Sequence, residues 1–118
     1  MLVVEDEAVV RDIVARALTE KGYGVVVAAS PGEAQEQFTA HQQEIRLLLT
    51  DVVLPGANGR ELYEQCVKLK PSLRVLYMSG YANNAIVHRG VLDAGTAFIR
   101  KPFTSAELLR KVRQVLAS

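Results

Sequence analysis

Five side chains able to do chemistry stand where an apolar run has just ended. Glu5 and Asp6 follow Leu2 to Val4, Asp51 follows Leu47 to Thr50, Ser79 follows Leu73 to Met78, and Lys101 comes shortly after Ala97 to Ile99. Carboxylates held within a few ångströms of one another repel, so either one takes a proton or a cation joins them. Oxygen ligands with neither His nor Cys beside them select a hard ion, Mg²⁺ before Ca²⁺ at cytoplasmic concentrations. Such an ion, with Lys101 opposite and the Ser79 hydroxyl as a further donor, makes a cradle for a dianionic phosphoryl group. A carboxylate in the middle is then the nucleophile. Asp51 suits that role, because Glu5 and Asp6 stand side by side on another strand and are better placed to hold metal than to attack. Its product is an acyl phosphate, a transient signal rather than a stable modification.

That chemistry needs four strand ends to meet at one edge of a sheet. The pattern supplies them by alternating short β-branched runs with helical periodicities. Leu2 to Val4 is a first strand, and Val9, Val10, Ile13, Val14, Ala17 and Leu18 recur at helical spacing until Gly22. The run from Gly24 to Ala29 holds a second strand, and Ser30-Pro31-Gly32-Glu33 opens a helix with an N-cap, a first-position proline and a capping-box acid. Leu47 to Thr50 is a third strand, after which Asn58 caps a helix with Leu62, Cys66 and Leu69 inward. Leu73 to Met78 is a fourth strand, Ile86, Val87, Val91 and Ala94 mark a fourth helix, and Ala97 to Ile99 is a fifth strand. Thr104 to Glu107 repeats the capping box before a last helix carrying Leu108, Leu109, Val112, Val115 and Leu116. Strands apolar on both faces and separated by helices predict an α/β fold, a doubly wound five-stranded parallel sheet covered on two sides. Sites in such sheets lie beyond the carboxyl ends of the strands, where these residues fall.

The totals agree with one domain over residues 1–118. Apolar residues make up 49% and charged ones 23%, a globular balance. The 14 basic and 13 acidic side chains are scattered and nearly cancel, so nothing favours nucleic acid or an anionic membrane. Cys66 alone excludes an internal disulfide and a cysteine zinc cluster, and its spacing from Leu62 places it on a helix core face. The apolar runs are too short to cross a bilayer, and the early acids exclude a signal peptide, which makes a cytoplasmic location the default. Taken singly, Glu5-Asp6-Glu7 reads as a solvated helix start, Ser79 as a turn residue and Lys101 as a solvated cation. Their convergence is the signal.

In order and at fitting intervals, "VVEDE", "TDVVLPGANG", "MSGYA" and "FIRKPF" resemble the sequence signature of the receiver domains of bacterial two-component response regulators, over essentially the whole chain. The resemblance implies a (βα)5 flavodoxin-like fold that catalyses its own phosphorylation and slow dephosphorylation. It implies that Asp51 takes phosphate from a phosphohistidine of a histidine kinase or phosphotransfer domain. Asp6, Asp51 and the Val53 carbonyl would hold Mg²⁺, with Glu5 acting through metal-bound water. Ser79 and Lys101 would contact the phosphoryl group, Phe98 would change rotamer when Ser79 moves, and Lys101-Pro102 would be a cis peptide. A homodimer through the fourth helix, fifth strand and last helix is a further implied contact. The wording "VLYMSGYA" and "GVLDAGTAFIRKPF" is most similar to receivers at the C-terminus of hybrid sensor histidine kinases. This implies a segment of a longer phosphorelay protein whose other parts can be membrane-anchored.

Glu5 departs from the commoner Asp of that signature. His41 and His88 lack the acidic surroundings of a kinase phosphoacceptor and read as surface helix residues. Val53 and Tyr81, each two residues beyond a site residue, are expected to border the path of water to the phosphorus. The alternative is a pseudo-receiver, an interaction module that keeps the acids without being phosphorylated. A haloacid dehalogenase-type hydrolase would need an Asp where Val53 stands, and a flavin carrier would need hydroxyl and glycine donors where the first loop has acids.

Overall fold

In the computed structural model, which describes residues 1–54, 56–80 and 97–117, the apolar runs become strands and the longer periodicities helices. In chain order these are β1 (Leu2–Val4), α1 (Ala8–Glu20), β2 (Val26–Ala28), α2 (Pro31–Ala40), β3 (Leu47–Asp51), β4 (Val53–Leu54), β5 (Ala57–Asn58), α3 (Gly59–Leu69), β6 (Arg74–Ser79), β7 (Phe98–Arg100) and α4 (Ser105–Ala117). The helix expected over Ile86 to Ala94, with Tyr81 and His88, lies outside the described residues.

Five strands form one parallel sheet in the order β2-β1-β3-β6-β7. Because successive strand residues face opposite ways, one run of leucines supplies two cores. Val3, Leu47, Leu49, Leu76, Met78 and Ile99 pack against α1 and α4 through Val14, Leu18, Leu108 and Val112. On the other face Leu2, Val4 and Leu48 meet Phe38 of α2 and Leu62 and Cys66 of α3. Each such side chain contributes roughly 1.5–3 kcal/mol by leaving water. The central strand β3 is buried along its whole length. From β1 the chain goes first to β2 and then back past β1 to β3, which leaves a crevice beyond the carboxyl ends of β1 and β3.

The helix caps follow the expected chemistry. Ser30 Oγ accepts from Glu33 N, Asn58 Oδ1 accepts from Glu61 N, and Thr104 and Glu107 exchange both bonds of a capping box. Several details differ from expectation. Parallel pairing of Asp51 with Met78 and of Ser79 with Arg100 carries β3 and β6 through their functional residues, which are thus strand residues. Strand β7 lies one residue later than predicted. Leu69, expected inward, is 59% exposed: as the last residue of α3 it projects past the packed face. His41 is the residue after α2 and half-buried, with Nδ1 3.4 Å from Glu44. The loop after Asp51 holds an unforeseen antiparallel pair, β4 with β5, turned by Gly56 at φ +75°.

Candidate functional site

Strand ends bring Glu5, Asp6, Asp51 and Lys101 together at the crevice, while Ser79 ends the neighbouring strand and meets Lys101 through its backbone. Glu5 directly follows β1, its N–H donating to Ala28 O at 3.1 Å, and is completely buried. Asp51 closes β3 and is 6% exposed, while Asp6 at the start of the next loop is exposed. Ser79 closes β6, buried, and its carbonyl accepts from Lys101 N at 2.6 Å, which extends the ladder with β7 by one bond. The Lys101-Pro102 peptide is cis. Lys101 Nζ lies 2.6 Å from Asp51 Oδ1 and also donates to Glu5 Oε1, so one ammonium bridges two acids from different strands.

Those contacts set the proton inventory. Burial, and after it the hydrogen bond with Glu5, push the Asp51 carboxyl from 3.8 up to about 8 against the opposing pull of Lys101. Burial also acts to raise Glu5, but hydrogen bonds with Asp51 and Lys101 outweigh it and hold Glu5 below its ordinary value. Burial alone would lower Lys101; the two carboxylates win and raise it. At neutral pH the buried pair therefore holds one proton opposite one ammonium and titrates as a unit.

Glu5, Asp6 and Asp51 each offer an oxygen, all within 4.8 Å of one another. An oxygen-only set of that charge fits a hard divalent ion. The site opens into a cleft of about 570 Å³ whose floor is Asp6, Asp51 and Lys101 and whose walls include Ile13, Val53 and Phe103. Val53 is exposed. Phe98 is 41% exposed; it pairs with Tyr77 across β6 and β7, and Ser79 stands two residues beyond Tyr77 on the same face.

Two supports were not foreseen. Arg11 Nη1 donates to the Glu5 backbone carbonyl at 2.8 Å, and Thr50 Oγ1 donates to the Asp51 carbonyl at 3.1 Å. Thr50 had left a signal, a hydroxyl in an otherwise apolar buried strand. Arg11 had not, since a base on an amphipathic helix ordinarily faces water.

The response regulator receiver domain family matches residues 1–113. The chain belongs to that family. The receiver is 36% identical over 116 residues to the sensor kinase CckA of Brucella abortus, covering 98% of this chain and 12% of the kinase. It is 27% identical to the response regulator receiver protein CpdR of the same organism, covering 98% of this chain and 95% of CpdR. Among solved structures, a response regulator receiver protein from Sinorhizobium medicae superposes with a TM-score of 0.85 at 26% identity, over 99% of this chain and 93% of that one. The doubly wound flavodoxin-like fold and the two-component family read from the motifs are thus both present. Receiver domains work with kinase or phosphotransfer partners and bind Mg²⁺ at an acidic pocket, and this receiver has such a pocket. Among its described residues no helix is long and apolar enough to cross a membrane.

Proposed function

We propose that this receiver takes a phosphoryl group onto Asp51 from a phosphohistidine on a kinase or phosphotransfer domain. The observation that carries the reading is Lys101 bridging Asp51 and Glu5 at the switch point of the sheet, with Asp6 completing an oxygen set beside them. In the transfer the P–N bond of the donor breaks and its electron pair stays on the imidazole, which takes up a proton. A P–O bond forms to an Asp51 carboxylate oxygen. Lys101 sits where it can follow the charge from carboxylate to phosphoryl oxygen, and Ser79 offers a hydroxyl from the neighbouring strand. A hard divalent ion, Mg²⁺ by preference, would be held by Asp6, Asp51 and the Val53 carbonyl and would neutralise phosphoryl charge. Glu5, buried and engaged by Lys101, fits the outer role. Incubation with acetyl phosphate and Mg²⁺ followed by intact-mass measurement tests the reading; a chain that gains no phosphoryl group overturns it.

Signal would leave through Ser79 and Phe98, which share one face of adjacent strands, so that drawing Ser79 toward the phosphoryl group makes room for the ring to turn inward. The homodimer face proposed for the fourth helix, β7 and α4 lies partly outside the described residues. We place the receiver as one unit of a longer sensor kinase, on its 36% sequence identity to part of CckA, and in the cytoplasm, on the scattered, nearly balanced charge and the single cysteine of the chain.

We infer that the donor seats on α1. Val9 and Ile13, one turn apart, are 71% and 56% exposed although their spacing marks them as apolar-face residues, and Ile13 lines the cleft that opens on Asp51. A phosphohistidine carried on a protein has to bring apolar surface down beside the acceptor. Ile13→Asp should slow transfer from a phosphohistidine protein roughly tenfold or more, the cost of burying a charge at an interface centre. Phosphorylation by acetyl phosphate should fall much less, and equal slowing of both donors would count against α1 as the seat.

Val53 offers no hydrogen bond to an attacking water through its side chain. Val53→Asn should shorten the acyl phosphate's half-life by roughly threefold to tenfold at fixed Mg²⁺, read as the decay of phosphorylated protein. An unaltered decay would remove Val53 from the water path; Tyr81, its proposed partner there, lies outside the described residues.

A further inference from the structure

Eight residues after the acceptor the chain returns to lie on it. Asp51 ends β3, the β4–β5 pair makes the excursion, and Gly59 opens α3 directly above the Asp51 peptide. Gly59 is buried, and its N–H donates to Val52 O at 2.7 Å. A Cβ at this position would collide with the Asp51 carbonyl oxygen, and would stand 3.2 Å from the carbonyl carbon and 3.0 Å from Thr50 Cγ2. The obstacle is backbone of the central strand, which cannot swing aside as a side chain tip would. At Gly22, Gly24, Gly32 and Gly56, by contrast, nothing lies within 4 Å of the missing Cβ. The same carbonyl accepts the Thr50 hydroxyl at 3.1 Å. The acceptor's peptide is therefore held from two directions, by a hydroxyl within its own strand and by a helix start that only a hydrogen atom allows to come so near.

We propose that Gly59, together with Thr50, is a positioning residue for phosphoryl transfer, setting the orientation of the Asp51 peptide and of the two peptides that follow it. Rotating that peptide turns the carboxylate relative to Lys101 and Asp6 and moves the Val53 carbonyl at the same time. The Asp51 side chain stays chemically intact, yet it no longer meets its partners. Misplacement on this scale costs transfer rate and metal affinity far more than it costs fold, because in-line attack tolerates little error in the position of the nucleophile. The inference rests on the reading of Asp51 as phosphoacceptor.

The test compares the parent chain with Gly59→Ala, Thr50→Val and a control, Leu62→Ala, which loosens α3 in the core without touching the Asp51 peptide. Thermal melting, Mg²⁺ binding by calorimetry, and the acetyl phosphate rate at saturating Mg²⁺ are measured for each. Gly59→Ala should weaken Mg²⁺ binding and the saturated rate each by roughly tenfold or more. Thr50→Val, which keeps shape and removes the donor, should shift both in the same direction by a few-fold. Leu62→Ala should lower the melting temperature while leaving both unchanged in the folded protein. If Gly59→Ala behaves as Leu62→Ala does, or if Gly59→Ala does not fold and Thr50→Val matches the parent in both readouts, the proposal is overturned. A parent that binds Mg²⁺ without accepting phosphate would sink the phosphoacceptor reading alone, and the metal titration would still judge Gly59. A parent that binds no Mg²⁺ would remove both.

Discussion

Asp51→Asn should abolish labelling by acetyl phosphate or a phosphohistidine donor, a loss on the order of a thousandfold or more, since an amide in place of the carboxylate has no anionic oxygen to attack phosphorus. The same substitution should make the metal-free protein more stable, and by clearly more at pH 8 than at pH 5. In the folded chain the Asp51 carboxyl is raised from 3.8 to about 8, so across that interval the native state holds a proton that the unfolded chain has lost. Stability then falls as pH rises. The contribution is fully present below the unfolded value and gone above the folded one. Glu5 shifts the other way, its hydrogen bonds with Asp51 and Lys101 outweighing burial. An amide never bears the charge, and so escapes a penalty that at pH 8 amounts to a few kcal/mol. Intact mass reads the first effect and paired melts at the two pH values the second. Full labelling of the mutant would move the nucleophile elsewhere, and an equal melting shift at both pH values would mean that Asp51 is already ionised at pH 5.

Binding of Mg²⁺ should release close to one proton, and its apparent affinity should climb by about tenfold per pH unit from pH 5 until it levels near 8. The reason is competition: the cation needs the ionised Asp51 carboxylate, which burial and the hydrogen bond to Glu5 keep protonated in the metal-free chain. Between pH 5.5 and 7.5 this is about a hundredfold. Calorimetry in two buffers of different ionisation enthalpy counts the proton directly, and Asp51→Asn should flatten the profile while weakening binding throughout. Affinity independent of pH over that span would show that Lys101 suffices to ionise Asp51 before any cation arrives. Because ligand binding adds to stability only through the folded state, added Mg²⁺ should raise the melting temperature more at pH 8 than at pH 6.

Much of the site was legible before folding because its signals are local. An acid directly after an apolar β-branched run marks a strand's carboxyl end, and the caps at Ser30, Asn58 and Thr104 depend on residues three positions apart. Strand type, helix starts and the placement of Glu5, Asp51, Ser79 and Lys101 at one edge follow from such short-range patterns once a parallel sheet is assumed. Other features were decided only when distant segments met. The same helical spacing buries Val14 and Leu18 but leaves Val9 and Ile13 in solvent, because periodicity reports which face is apolar and not whether another element covers it. Leu69 fails for the same reason. Gly59 carries no local mark of its task; its missing side chain matters because α3 returns over Asp51. Lys101 and Glu5 are separated by 96 positions, and which acids that ammonium would bridge was unknown until the order β2-β1-β3-β6-β7 placed their strand ends side by side. Local patterns were enough for the five strands of the main sheet, the described helices and the chemical groups at the strand ends, since these are written in residues within a turn or a strand of one another; the β4–β5 pair was not among them. The tertiary structure alone decided burial, pairing and proton affinity, because each of these depends on the surroundings that other parts of the chain provide.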